Sequence, residues 1–153
     1  MLKLKATSLL ALCVVSLIVG CAAQQPTNES GGSLVGAWLV TASRPTGVGR
    51  NLLTFSSDGT FFRSGDTHPT LSGAHGTWQR AADGGFDATY IAFRFDQSGK
   101  WIGSTKTRIR IAPSANGNEF TGLAKVSTRD LADNEVATSE SRLDGRRIQV
   151  EPI

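Results

Sequence analysis

Trp101-Ile102-Gly103-Ser104-Thr105-Lys106-Thr107-Arg108-Ile109-Arg110-Ile111-Ala112 alternates with a period of two. Lys106, Arg108 and Arg110 fall on one face. Trp101, Gly103, Thr105, Thr107, Ile109 and Ile111 fall on the other. Successive side chains of a β-strand point to opposite faces, so this stretch reads as a strand with one wet and one buried face. The period of 3.6 that an amphipathic helix needs is absent.

The same period governs the chain from Leu34 onward. Short runs rich in Val, Ile, Thr and aromatic residues alternate with turn signals about every 8–14 residues. Ser57-Asp58-Gly59-Thr60 and Asp144-Gly145 carry the Asp-Gly pair suited to type I′ hairpins. Asp83-Gly84-Gly85, Asp96-Gln97-Ser98-Gly99, Ser114-Ala115-Asn116-Gly117-Asn118 and Asp133-Asn134 supply residues that tolerate positive φ. The strands between them are predicted at 34–43, 50–56, 60–64, 74–81, 86–95, 101–112, 119–129, 135–143 and 146–151. None needs a long crossover. The expected fold is therefore all-β, an up-and-down antiparallel meander of eight or nine strands. Closing it into a barrel removes exposed edges; a two-sheet β-sandwich is the alternative.

Face assignment follows from parity. In 119–129 the inner face is Phe120, Gly122, Ala124 and Val126. In 135–143, Glu140 and Arg142 share a face with Val136 and Thr138, and an outer charged face with small residues inside is the expected arrangement. In 86–95 the inner set is either Phe86, Ala88, Tyr90 and Ala92 or Ile91, Phe93 and Phe95, since both are largely apolar. Inner faces that mix bulky residues with Gly, Ala and Thr leave room, either for a ligand or for a large side chain from across the barrel.

The start of the chain has a different character. Lys3 and Lys5 precede the apolar run Leu9–Val19, which ends in Ile18-Val19-Gly20-Cys21. A basic start, a short apolar stretch and a small residue before a cut describe an export signal rather than a membrane span. Residues 22–33, AAQQPTNESGGS, are small and polar and read as a flexible tether. The domains expected are thus a signal at 1–20, an anchor and tether at 21–33, and one barrel at 34–153.

Ile-Val-Gly-Cys resembles the lipobox of bacterial lipoproteins. That resemblance implies that Cys21 becomes the first mature residue and carries the lipid, palmitate included. It also implies a place in the bacterial cell envelope. Ala22 lacks the Asp that the resemblance links to inner-membrane retention, so the periplasmic face of an outer membrane is favoured in a Gram-negative cell. Cys13 leaves with the signal, so no thiol remains for a disulfide, a thiolate metal site or a Cys nucleophile. With Lys3 and Lys5 removed from 16 basic residues, 14 face 13 acidic ones. The dispersed charge argues against a nucleic-acid partner, and a monomer is expected.

A second resemblance concerns the barrel. Gly36-Ala37-Trp38 in the first strand is similar to the Gly-x-Trp of lipocalins and the wider calycin group. In that group the Trp closes the narrow end of an eight-stranded barrel. Leu52-Leu53-Thr54-Phe55-Ser56-Ser57-Asp58-Gly59-Thr60 followed by His75-Gly76-Thr77-Trp78 also resembles bacterial lipocalin-like barrels. The chain departs from lipocalins proper in lacking a Thr-Asp-Tyr motif and a helix with a flanking Arg after the last strands.

Enzyme motifs are missing: there is no phosphate-binding Gly loop, Gly-x-Ser-x-Gly elbow or His-Glu-x-x-His. No catalytic residues, cofactor or metal are expected, and two histidines, His68 and His75, are a poor basis for zinc. His68 and His75 flank a Pro- and Gly-containing loop that forms a candidate rim. Tyr90 and Arg94 share parity; facing inward, they would suit a carboxylate or other anionic head group, whereas facing outward Arg94 is simply solvated. Trp78, Trp101 and Phe120 complete the candidate ligand-binding set, each also readable as core. The function expected is a membrane-anchored binding protein for a small apolar or amphipathic molecule. A ligand-free interaction, scaffold or inhibitor lipoprotein is the alternative. A barrel cyclase or isomerase using Tyr90, His75 and Glu140 is a third reading.

Overall fold

A computed structural model describes residues 32–67 and 69–153. The expected signal at 1–20, Cys21, most of the expected tether and His68 lie outside the described residues. Eight strands follow one another: β1 Gly36–Arg44, β2 Gly47–Phe55, β3 Thr60–Gly65, β4 Leu71–Arg80, β5 Phe86–Phe95, β6 Trp101–Pro113, β7 Glu119–Arg129 and β8 Glu135–Arg147. Each pairs antiparallel with its sequence neighbour. β1 pairs with β8, Val40 opposite Gly145, and the sheet closes into a barrel without an unpaired edge. The eight-stranded closed meander replaces the sandwich alternative.

The predicted ninth strand does not exist, and Asp144-Gly145 is not a turn. Residues 135–147 form one continuous strand in which Asp144 pairs with Thr41 and Thr121. Gly145 is in mid-strand for a packing reason: a Cβ there would run into the Phe120 ring. The chain after Arg147 is not a strand.

Five of the connections repeat one device. In the β2–β3 turn, Gly59 N–H donates to Ser56 C=O, and Ser56 N–H to Thr60 C=O. The same first bond recurs from Gly84 to Ala81, Gly99 to Asp96, Gly117 to Ser114 and Asp133 to Asp130. The donor in every case has positive φ, including Asp133 at 66°. Only Gly59 of the Asp58-Gly59 pair does so, which describes a type I turn closed by a left-handed residue rather than the predicted type I′ turn.

Parity sorts the strands into walls. β6 faces inward through Gly103, Thr105, Thr107, Ile109 and Ile111, as predicted, but Trp101 does not share that face. The β5–β6 register shifts between Arg94 and Phe95, and Gly103 has a φ of 135°. This irregularity turns Trp101 outward, where its ring meets Phe93 edge-on at 6.1 Å. The open choice on β5 resolves to Phe86, Ala88, Tyr90 and Ala92 inside, with Ile91 and Phe93 exposed.

The two ends of the barrel differ. At the end holding the start of β1, Trp38, Phe55, Phe61, Phe86 and Phe120 are all at most 2 % exposed. Trp38 meets Phe120 at 4.9 Å, Phe55 stacks on Phe61 at 4.5 Å, and Trp78 packs against both Phe55 and Phe86. This aromatic plug fills the floor. Toward the mouth, inward positions shrink to Ala42, Ala92, Thr105 and Ser141, and no aromatic cluster fills the space.

Candidate functional site

Those small residues leave an interior cavity of about 180 Å³ in the mouth half of the barrel. Its wall is apolar at Val40, Leu53, Ile109 and Leu143, and carries hydroxyls at Thr105, Thr107, Ser139 and Ser141. Tyr90 also faces it, packed on Phe61 at 5.5 Å, so the cavity begins where the aromatic plug ends. Thr67 and Leu71 reach in from either side of the β3–β4 connection.

Two guanidinium groups line this space, Arg44 and Arg63, and no Asp or Glu does. Arg63 is 6 % exposed. Its Nε–H donates to Asn51 Oδ1 at 2.8 Å and its Nη2 to Thr67 Oγ1 at 3.3 Å. Nη1 is buried and finds no acceptor. The guanidinium lies over Gly65, where a Cβ would sit 2.7 Å from Arg63 Cζ and 2.6 Å from Asn51 Oδ1. Glycine at 65 thus makes the space that the charge occupies.

The predicted site residues scatter. Tyr90 lines the cavity. Arg94 shares its inward parity but sits half-buried nearer the rim, in register with Leu71 and Gly103, and is not a wall residue. Trp78 and Phe120 belong to the aromatic floor, the Trp78 indole donating to Ser56 C=O at 2.9 Å. His75 and Trp101 are on the outer surface, His75 edge-on to Phe62 at 5.0 Å. Tyr90, His75 and Glu140 do not converge: Glu140 is exposed on β8 and pairs with Lys125 at 3.4 Å. Among the described residues, no three His, Cys, Asp or Glu side chains gather as a metal site would require.

Sequence reading overlooked Arg63, Arg44 and Asn51. A parity signal for Arg63 was present, because it shares a face with Phe61 and Gly65. Phe62 supplies an equally apolar opposite face, so parity alone does not choose between them.

The floor is locked by a third arginine. Arg147, the last residue of β8, lays its guanidinium 4.3 Å from the Trp38 ring centre. It donates to the carbonyls of Ser33, Val35 and Gly117 at 2.5, 2.6 and 3.0 Å. Trp38 Nε1–H donates to Leu34 C=O at 2.9 Å. Burial pushes the Arg147 pKa below the usual arginine value, and the group stays cationic. Residues 148–153 form no helix, and the Arg that covers the first-strand Trp is the last residue of β8 itself.

Fold and cavity together define the class: an eight-stranded antiparallel meander barrel, consistent with a lipocalin-like fold, plugged at one end and hollow toward the other. No protein-family model, no curated protein and no solved structure matches this chain.

Proposed function

We propose that this chain is a lipid-anchored, lipocalin-like binding protein that holds a small amphipathic molecule in its barrel at the bacterial cell envelope. The observation that carries the reading is the asymmetric interior. Aromatic residues pack the floor, while small and hydroxylated residues surround a cavity of about 180 Å³. A barrel built only for rigidity has no need of that asymmetry. Apolar walls with a few convergent polar groups are the usual make-up of a small-molecule site. The basic, apolar and Cys21-ending leader supports export and lipid attachment, with the periplasmic face of the outer membrane as the favoured address in a Gram-negative cell.

The test uses the full-length protein expressed in a bacterium and extracted in detergent. Native mass spectrometry and solvent extraction are expected to find a bound small molecule, and a fluorescent apolar probe is expected to bind saturably. A barrel that carries nothing and takes up no probe would overturn the binding role. Cys21→Ala is expected to leave an unlipidated precursor.

An exposed apolar band favours a second reading, a ligand-free interaction lipoprotein. Leu39 pairs with Leu52 on the outer face. Phe62, Ile91, Phe93 and Trp101 continue the band, each between 42 % and 54 % exposed. Cross-linking in cells from position 91 or 93 would find the partner.

A further inference from the structure

We propose that the barrel cavity is an anion site in which Arg63 receives the carboxylate of a small organic acid. The inference rests on the binding role proposed above and specifies its ligand. A buried charge is costly unless it is paired and hydrogen-bonded. Arg63 is buried, yet among the described residues it forms no ion pair, and its Nη1 has no acceptor. Asp66, close by in sequence, accepts instead from the Arg50 backbone N–H at 2.8 Å. The two neutral groups that do meet Arg63, Asn51 and Thr67, fix the plane of the guanidinium without neutralising it. Arg63 borders the cavity and its Nη1 has no acceptor among the described residues, so a small turn of the guanidinium offers that donor to a group from outside.

The cavity supplies the rest of the specificity. Arg44 adds a second guanidinium toward the mouth; Asp66 lies near it across Gly49, but no carboxylate lines the cavity itself, so its wall carries positive charge. Arginine presents a planar donor fork that matches a carboxylate. The apolar wall of Val40, Leu53, Ile109 and Leu143 would hold a hydrocarbon body. The volume limits that body. An apolar cavity of ~150 Å³ takes up benzene, so about 180 Å³ accommodates one ring or a chain of similar size. Benzoate and hexanoate are the appropriate probes, and a long acyl chain is not.

Isothermal titration of the detergent-extracted lipoprotein compares benzoate and hexanoate with benzyl alcohol and hexanol, which keep the body and lose the charge. The carboxylates are expected to bind at least tenfold more tightly than the alcohols. Arg63→Met is expected to remove that preference, bringing the acid-to-alcohol ratio of affinities close to one. Its ligand-free melting temperature is expected to match or exceed that of the unsubstituted protein, because an unpaired buried charge is gone. If Arg63→Met fails to fold, the acid-to-alcohol ratio in the unsubstituted protein decides alone. Equal binding of acids and alcohols would overturn the anion site and leave the binding role standing. Binding of inorganic phosphate in place of the organic acids would also overturn it. No binding of any probe would overturn both.

Discussion

The Arg147 guanidinium covers the Trp38 ring at 4.3 Å and ties β8 to the segment that leads into β1. Three carbonyls from two loops converge on one planar cation, and the ring beneath it offers its negative face. Gly36 permits the approach: a Cβ there would sit 2.7 Å from Arg147 Nη1. Arg147→Ala is expected to cost about 2–3 kcal/mol, from the lost charge-assisted bonds and the cation–π contact. Arg147→Lys should recover only a small part of it, because one ammonium cannot reach carbonyls on three sides. Urea unfolding measures both. Ligand affinity should be unchanged, since the pair lies at the plugged end.

Gly145 and Phe120 form a second coupled pair. The Phe120 ring occupies the space above Gly145 and tilts at 59° against Trp38. Gly145→Ala must push that ring into a packed floor, with an expected cost of about 1–3 kcal/mol. Trimming the ring should relieve the clash, so Phe120→Leu in the Gly145→Ala background should cost less than the sum of the single changes. A double-mutant cycle read by thermal unfolding checks the sign of that coupling.

These pairs also mark where the sequence could and could not be read. Period-two alternation at 103–111 and 120–126 determined the walls correctly, because one face in each carries charges. Strand 86–95 stayed ambiguous because Ile91 and Phe93 are as apolar as Phe86 and Tyr90, yet face solvent in the outer band. Asp144-Gly145 resembled a turn because a glycine needed for ring clearance looks the same as one needed for positive φ. Trp101 was misplaced because its parity is broken by a register shift that composition does not announce. Arg63 went unnoticed because Phe61-Phe62 puts an aromatic on each face of β3. The partly legible site was thus the apolar barrel interior, and its buried charge required the three-dimensional register.

Gly99 tests the repeated turn. Its φ is 82° and nothing lies within 4 Å of the position a Cβ would take. A substitution there reports backbone conformation with no steric clash. Gly99→Ala is expected to lower stability by about 1–2 kcal/mol. Gly99→Asn should cost less, since Asn tolerates the left-handed region as Asp133 already does in the β7–β8 turn. Thermal melts of the two variants, compared side by side, give the order. Equal losses would show that the turn is not the controlling conformation.

The turn aspartates predict an acid limit to stability. Asp96 Oδ1 accepts from the Ser98 hydroxyl at 2.6 Å and from the backbone N–H of Ser98 and Lys100 at 2.8 and 3.0 Å. The Ser98 side-chain bond is the largest of the causes that hold its carboxyl below the usual aspartate value. Asp58 is lowered chiefly by the Thr60 hydroxyl, Asp130 by the Asn134 backbone N–H, and Asp83 by the Gly85 backbone N–H and then Arg110. In each case the folded pKa lies below the unfolded one. The stabilisation is therefore complete above the unfolded value, about pH 4. It fades as pH falls through the folded value, when the native state must take up protons it resists. The melting temperature should stay level from pH 7 down to about 5 with respect to these groups, and fall below about 4. Asp96→Asn removes one of them, so its melting curve should start lower at neutral pH and converge on that of the unsubstituted protein in acid. A constant gap between the two curves down to pH 2 would show that the Asp96 turn does not carry this dependence.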